Sequence, residues 1–200
     1  MIHETGRDIG KGSSALTGPY KFGQMQGRSR QEAVTVNLPV PIKPGPGEES
    51  VWNYPRPPRL EQVAKSVQIV LAGALIVDAP ECYRVLETSH PPVYYIAPDF
   101  VAAGALLPVA GSSLCEWKGR ADYFDVAANG RIASRAAWRY AAPTDRFAPI
   151  AGFLAFYAGP MDRCSVGGEL VTPQPGGFYG GWITSGIVGP FKGQPGSLGW

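Results

Sequence analysis

Two groups suited to proton transfer lie close together in the segment LETSHPPVYY, residues 86–95. Glu87 stands three residues before His90, and Pro91 and Pro92 follow the histidine directly. Proline cannot donate a ladder hydrogen bond and holds the residue before it extended, so we expect a strand to end here in a rigid corner. A carboxylate and an imidazole in such a corner could act as a general base and its orienting partner. They could instead cap exposed backbone groups, as polar corner residues commonly do.

A second segment with chemical potential is CEWKGRADYFDV, residues 115–126. In an extended chain Glu116, Lys118 and Arg120 face the same side. If that side lines a cavity, Lys118 becomes an anion binder or a nucleophile, and with Arg84 and Arg120 it could clamp a carboxylate or a phosphate. If that side faces water, Glu116 and Lys118 form a surface ion pair of little energetic value. The residue types leave both alternatives open.

Aromatic side chains accompany both segments along the sequence. Rings at strand positions usually belong to the core, but rings with a few polar groups also line pockets for small ligands. These residue types together nominate a set of candidates. The candidate catalytic residues are Glu87, Lys118, His90 and Tyr123, and the candidate ligand-binding residues are Arg84, Tyr94, Tyr95, Trp117, Arg120, Trp138 and Tyr157.

Charge and cysteine content argue against several functions. The formal net charge is +2 and the basic residues form no run, whereas nucleic-acid binding needs a concentrated basic face, so no nucleic-acid partner is expected. The cysteines, Cys82, Cys115 and Cys164, lack C-x-x-C spacing, which predicts free buried thiols and neither a metal nor another cofactor. A metal site stays open only if distant cysteines join His90.

The apolar segments set the expected location. Runs such as VLAGALIV at residues 70–77 are much shorter than a membrane-spanning helix, so no membrane partner is expected. The first residues contain no apolar core of a secretory signal. These observations predict a cytoplasmic protein.

Glycine and proline content indicates a β-rich chain with many turns. Gly (26) and Pro (20) make up nearly a quarter of the 200 residues, about twice the usual share. Residues 1–60 are predicted to be a Pro/Gly-rich arm, because their eight prolines deny helix. Residues 61–171 are predicted to be a β-rich core domain. Residues 172–200 combine many glycines with aromatic rings, which predicts an irregular strap packed on the core with its rings buried.

Turn residues predict the strands of the core domain. Ala72-Gly73, Gly119-Arg120, Asn129-Gly130 and Gly167-Gly168 are expected at hairpin turns, with Asn129-Gly130 favouring type I′. Further strands are expected at 82–88 and 93–97, and residues 149–159 favour strand over helix through their aromatic residues. Asp99 is expected to cap a short helical turn over FVAAGALL.

Four motifs in order, RVLETSHPPVYY, CEWKGRADYFDV, AAWRYAAP and IAGFLAFYAG, resemble the domain of unknown function 427 family, also labelled nucleotidyltransferase-like. The resemblance covers roughly residues 65–165. It implies a mainly β fold of small, strongly bent antiparallel sheets, of the Mss4-like or β-tent type, with a short helix and long irregular terminal segments. The positions that match the family's motifs are Arg84, Glu87, Pro92, Tyr94, Tyr95, Lys118, Gly119, Tyr123, Trp138, Tyr140, Phe156 and Tyr157.

The resemblance brings neither zinc nor a reaction with it. Proteins of this architecture often bind zinc through paired C-x-x-C motifs, which this chain lacks. Nucleotidyl transfer generally needs clustered carboxylates for Mg²⁺, and the acidic residues here show no such pairing along the sequence.

Two functions therefore remain open from the sequence. In the first, the domain binds a small polar or anionic ligand in an aromatic-lined pocket and could act on it as an enzyme. In the second, it is a structural or interaction subunit whose arm, residues 1–60, wraps a protein partner or a second protomer of a homo-oligomer.

Overall fold

Short strands separated by tight turns dominate residues 39–197 and 199–200, the part of the chain that the computed structural model describes. The strands are β1 (Glu49–Ser50), β2 (Arg59–Val63), β3 (Val67–Leu71), β4 (Ala74–Ala79), β5 (Cys82–Leu86), β6 (Val93–Tyr95), β7 (Leu106–Cys115), β8 (Gly119–Ala128), β9 (Arg131–Tyr140), β10 (Leu154–Phe156), β11 (Arg163–Val166), β12 (Glu169–Leu170), β13 (Thr172–Pro173), β14 (Trp182–Ile183) and β15 (Ile187–Val188). Three 3-10 turns span Val51–Asn53, Pro98–Phe100 and Asp145–Ile150.

The strands form several small sheets. Two sheets have four strands, in the orders β10-β9-β8-β7 and β12-β11-β3-β4, and a third has the order β2-β5-β6. β13 and β14 form a separate pair, and β1 pairs in parallel with β15, whereas the other pairs are antiparallel. The prediction of a mainly β protein with small antiparallel sheets and short helical segments is confirmed. The narrower β-tent assignment stays a prediction.

Two of the hairpin turns contain residues in the left-handed region of the backbone. Asn129 and Gly130 both have positive φ, 45° and 79°, as a type I′ turn requires, and they join β8 to β9. Ala72 and Gly73 also have positive φ and join β3 to β4. Both hairpins agree with the prediction from sequence.

The turn between β7 and β8 lies earlier than predicted. β7 ends at Cys115 and β8 begins at Gly119. These two residues pair directly, so Glu116, Trp117 and Lys118 form the turn. The expectation that Glu116 and Lys118 share one face of an extended strand is therefore wrong. The left-handed φ of Gly119, 92°, allows the chain to re-enter the sheet at that residue.

Two further local expectations differ from the structure. Asp99 lies inside the turn Pro98–Phe100, where Ala97 holds the N-cap position, and Leu106 already pairs with Val126 in the sheet. Of residues 149–159, only β10 is strand. The preceding 3-10 turn contains Pro149, which cannot donate a ladder hydrogen bond.

Two cores lie on opposite sides of β6, β9 and β10. Neighbouring residues of a strand point to opposite faces, so Tyr94 joins one core with Ile69 and Phe156, whereas Tyr95 joins another with Trp138. The second core lies beneath the candidate site.

The segments that flank the core domain also contribute packing. Val51 and Tyr54 are buried against Leu86, and Trp182 is buried in the first core. Phe178 is 77% exposed, so the expectation that the rings of the C-terminal strap are buried is wrong for this ring. Residues 1–38 of the predicted arm lie outside the described residues, and the domain limits at 60 and 171 stay predictions.

Candidate functional site

A cavity of about 460 Å³ opens where the end of β5, the β7–β8 turn and one face of β8 and β9 meet. It brings together all four candidate catalytic residues, although they come from three separate parts of the chain. It also includes four of the seven candidate ligand-binding residues. These lining residues are Glu87, His90, Lys118, Tyr123, Tyr95, Trp117, Trp138 and Tyr157.

Strand geometry explains how the wall of the cavity forms. Tyr123 of β8 lies directly opposite Trp138 of β9, so the two side chains emerge on the same face of the sheet. The Trp138 and Tyr157 rings pack with their centres 4.6 Å apart. The hydroxyl group of Tyr123 lies 2.7 Å from Ser113 Oγ, and this contact holds the end of the Tyr123 side chain.

Arg84, Tyr94 and Arg120 do not line this cavity. Arg84 points to the other side of β5, where it pairs with two carboxylates from β1 and β2. Arg120 is exposed and pairs with Asp122, and Tyr94 packs on the Trp182 ring in the first core. The expected clamp of Lys118 with Arg84 and Arg120 therefore does not form, because Arg84 and Arg120 pair with carboxylates outside the cavity.

Lys118 is buried in the β7–β8 turn with only 8% of its surface exposed. Its ammonium nitrogen lies 5.8 Å from the centre of the Tyr140 ring and 5.6 Å from that of Phe147, within cation–π range. Among the described residues, no carboxylate lies within salt-bridge distance of it. A lysine with so little exposed surface normally has a charged or hydrogen-bonding partner, which makes Lys118 a candidate anion-binding group.

Glu87 and His90 lie at the rim of the cavity, in the corner that follows β5. Arg56 Nη2 lies 2.8 Å from Glu87 Oε1, so this carboxylate already has a cationic partner. His90 Nδ1 lies 2.9 Å from the carbonyl oxygen of Thr88, which assigns the proton of the neutral ring to Nδ1 and leaves Nε2 as the acceptor. Ser89, between them, has a left-handed φ of 68°, which tightens the corner.

Burial sets the protonation of the groups around the cavity. Removal from water lowers the pKa of His90, even though the Thr88 carbonyl and Glu87 act in the opposite direction. Burial also raises the pKa of Tyr95 and Tyr140 well above the usual range, and that of Tyr157 to about 12. The histidine is therefore neutral near pH 7, and the three phenols are hydrogen-bond donors.

The C-terminal residues form one side of the cavity. They also form the partition between this cavity and a neighbouring one. The segment GGFYGG, residues 176–181, separates the cavity from a neighbouring one of about 510 Å³, and both are lined by Phe178, Tyr179 and Gly180. The Tyr179 ring stacks edge-on against His90 with ring centres 4.7 Å apart. Tyr157 donates a hydrogen bond of 3.2 Å to the carbonyl of Phe178, which ties the partition to the cavity wall.

Several lining residues were not among the candidates. Arg56, Gln174, Tyr179 and Lys192 come from the flanks of the core domain, far along the chain from Glu87 and Lys118. Lys192 had one visible signal, since it is the only charged residue of 172–200. Tyr140, which also lines the cavity, is one of the positions that match the family's motifs.

Side chains that bind metal ions do not cluster in the described part of the chain. Within residues 39–197 and 199–200, no three His, Cys, Asp or Glu side chains come close enough to hold a metal ion. Cys82 and Cys164 are buried, and burial raises the pKa of each thiol to about 12, whereas Cys115 lies half-buried at the cavity.

No helix of the described residues is long and apolar enough to cross a membrane.

Comparison with known proteins agrees with the resemblance seen in the motifs. The family described as "Domain of unknown function (DUF427)" matches residues 59–167, more than half of the chain. No curated protein matches the sequence. The matched segment includes β2 to β11 and most of the cavity wall, but not Arg56 or the C-terminal partition. The chain therefore belongs to the DUF427 family.

Proposed function

We propose that the protein binds a small molecule that carries a flat ring and an acidic group, with the acidic group at Lys118. The observation that carries this proposal is the position of Lys118, whose residue is only 8% exposed and whose ammonium lies beside Tyr140 and Phe147 in the cavity without a carboxylate partner among the described residues. A bound carboxylate or phosphate would supply the charged partner that this ammonium lacks.

The remaining wall supports a ring on the same ligand. Trp138, Tyr157, Tyr95 and Trp117 present aromatic surface in a cavity of about 460 Å³, a volume typical of pockets for small ligands. The phenol groups of Tyr95 and Tyr140 stay protonated and could donate hydrogen bonds to the ligand's oxygens. Rings fix orientation and the polar groups fix which end of the ligand faces Lys118.

The rim could add acid–base chemistry to this binding. His90 Nε2 accepts a proton when the ring is neutral, and Glu87, held by Arg56, lies nearby along the same corner. Binding is the function that the contacts of Lys118 support, and any reaction would use the same bound molecule.

Matched acids and amides test the proposal. Isothermal titration calorimetry on the full chain would compare benzoate with benzamide, and the para-monocarboxylate of biphenyl with its amide. Each pair has the same ring and differs in charge. We expect at least one acid to bind about tenfold more tightly than its amide, as one charge-assisted contact permits. Equal affinity within both pairs, or no binding of either acid, would overturn the proposal.

A further inference from the structure

The rim of the cavity holds a second pair of cationic side chains, distinct from Lys118. Arg56 comes from the proline-rich segment before β2, and Lys192 comes from the C-terminal residues. Both lie outside residues 59–167, the segment that the family shares. The flanks therefore supply these two cations, and the family domain does not.

Besides Lys118, the charged side chains that line the cavity are two cations, Arg56 and Lys192, and two carboxylates, Glu87 and Glu116. Arg56 Nη2 lies 2.8 Å from Glu87 Oε1, whereas within the described residues no Asp or Glu side chain lies at salt-bridge distance from Lys192. The Lys192 ammonium donates to a main-chain oxygen of Trp200 and lies 5.9 Å from the Tyr179 ring. Lys192 is therefore a cation of the cavity without an acidic side chain of its own, beside a histidine that burial keeps neutral.

The backbone of Lys192 is held in place by buried groups. Its N–H donates to the carbonyl of Ser89 at 2.8 Å, which attaches it to the corner that bears His90. Its carbonyl accepts a hydrogen bond of 2.8 Å from Gln174 Nε2, and Gln174 is only 4% exposed. Gln174 in turn accepts from the N–H of Gly181 in the partition. A lysine on a free surface segment needs no such support, so this placement indicates a built feature of the cavity.

We propose that Lys192, together with Arg56, forms a second anion subsite, so that the ligands of this cavity are flat-ring compounds with two acidic groups. The inference rests on the proposed function, because one acidic group occupies Lys118. The two subsites have different aromatic neighbours, Tyr140 and Phe147 for Lys118 and Tyr179 for Lys192. A ring between them would lie along the aromatic wall.

The test compares monoacids with their diacids in the full chain. Isothermal titration calorimetry at low ionic strength would use benzoate against terephthalate, and the para-monocarboxylate of biphenyl against its para,para-dicarboxylate, since the two pairs differ in length. We expect at least one diacid to bind about tenfold more tightly than its own monoacid, as one additional charge-assisted contact allows. Lys192→Gln should remove this preference for the diacid over its monoacid, whereas Lys192→Arg should retain it.

The outcomes separate this inference from the proposed function. A retained preference of Lys192→Gln for an acid over its amide shows that the variant is folded, and Lys65→Gln, whose side chain does not line the cavity, is the matched control. If monoacids bind and each diacid binds no more tightly than its monoacid, the second subsite is wrong and the first stands. A diacid preference that persists in both Lys192→Gln and Arg56→Gln would also overturn the second subsite. If no acid binds better than its amide, the proposed function fails, and this inference fails with it.

Discussion

Gly180 lies so close to the Trp138 indole that a side-chain carbon at position 180 would overlap its six-membered ring. Trp138 belongs to the cavity wall, and Gly180 belongs to the partition that separates the cavity from its neighbour. The missing side chain of Gly180 therefore determines how closely the C-terminal residues can pack over the cavity.

Gly180→Ala should weaken both the fold and ligand binding. The added methyl group must push the partition away from the rigid Trp138 ring, and overpacking of this kind costs about 1–3 kcal/mol of the free energy of unfolding. Urea unfolding and acid titration measure the two effects. Gly159→Ala is the matched control, because a side-chain carbon there meets no atom within 4 Å. A Gly180→Ala variant with the stability and affinity of the wild type would contradict this packing.

Arg84→Gln should lower stability without changing affinity. Its side chain is only 14% exposed and pairs with both Glu49 and Glu61, at 2.9 Å and 2.8 Å, so its removal leaves Glu49 without a cationic partner and Glu61 with Arg59 alone. We expect a loss of about 2 kcal/mol in the free energy of unfolding. Arg59→Gln, at an exposed pair with Glu61, should cost about 0.5 kcal/mol or less. A weaker affinity for acids in Arg84→Gln at unchanged stability would return Arg84 to the ligand site.

His90 should make the protein less stable in mild acid. Burial lowers its pKa in the folded chain below the value in the unfolded chain, so the unfolded chain binds more protons as pH falls. The stability contributed by neutral His90 is present above the unfolded pKa of about 6.5 and is lost as pH falls through the lower, folded value.

Urea unfolding at about pH 7.5 and about pH 5.5, on either side of the ordinary histidine pKa, measures this effect. The wild type should lose more free energy of unfolding between the two conditions than His90→Gln. The histidine near the N-terminus is present in both proteins and cancels in the comparison. An equal loss in both proteins would mean that His90 does not titrate differently in the folded chain.

Local patterns were enough to predict the corner and most of the hairpins. Pro91 and Pro92 lie in the corner between β5 and β6, and Asn129-Gly130 turns the chain between β8 and β9, because each depends on the backbone preferences of its own residues. The meeting of Glu87, His90 and Lys118 could only be proposed. It depends on where the β7–β8 turn falls, and that turn lies a few residues before the predicted one.

Two of the remaining errors come from the alternation of side chains between the two faces of a strand. Arg84 and Tyr94 are neighbours of site residues in the sequence, but the pleat sends each to the opposite side of its strand. Arg56 and Lys192 were missed as site residues for a different reason. They reach the cavity from segments that share no local pattern with it, so only the packing of the flanks reveals them.

Lys118→Met should abolish acid binding while the fold becomes slightly more stable. Methionine fills similar space beside Tyr140 and Phe147 without a buried charge, so we expect the free energy of unfolding to stay the same or to rise by about 1 kcal/mol. Urea unfolding checks this result. A large loss of stability would indicate that Lys118 serves the fold and not a ligand.

Native mass spectrometry of the full chain with an equimolar mixture of ring-bearing acids and their amides tests the role of Lys118 most directly. The wild type and Arg120→Gln, which changes an exposed cation outside the cavity, should both retain acids in preference to amides. Lys118→Met should retain neither the acids nor the amides, and Lys118→Arg should recover part of the preference for acids. Acid adducts of equal intensity in the wild type and Lys118→Met would contradict the assignment of Lys118 as the anion-binding residue.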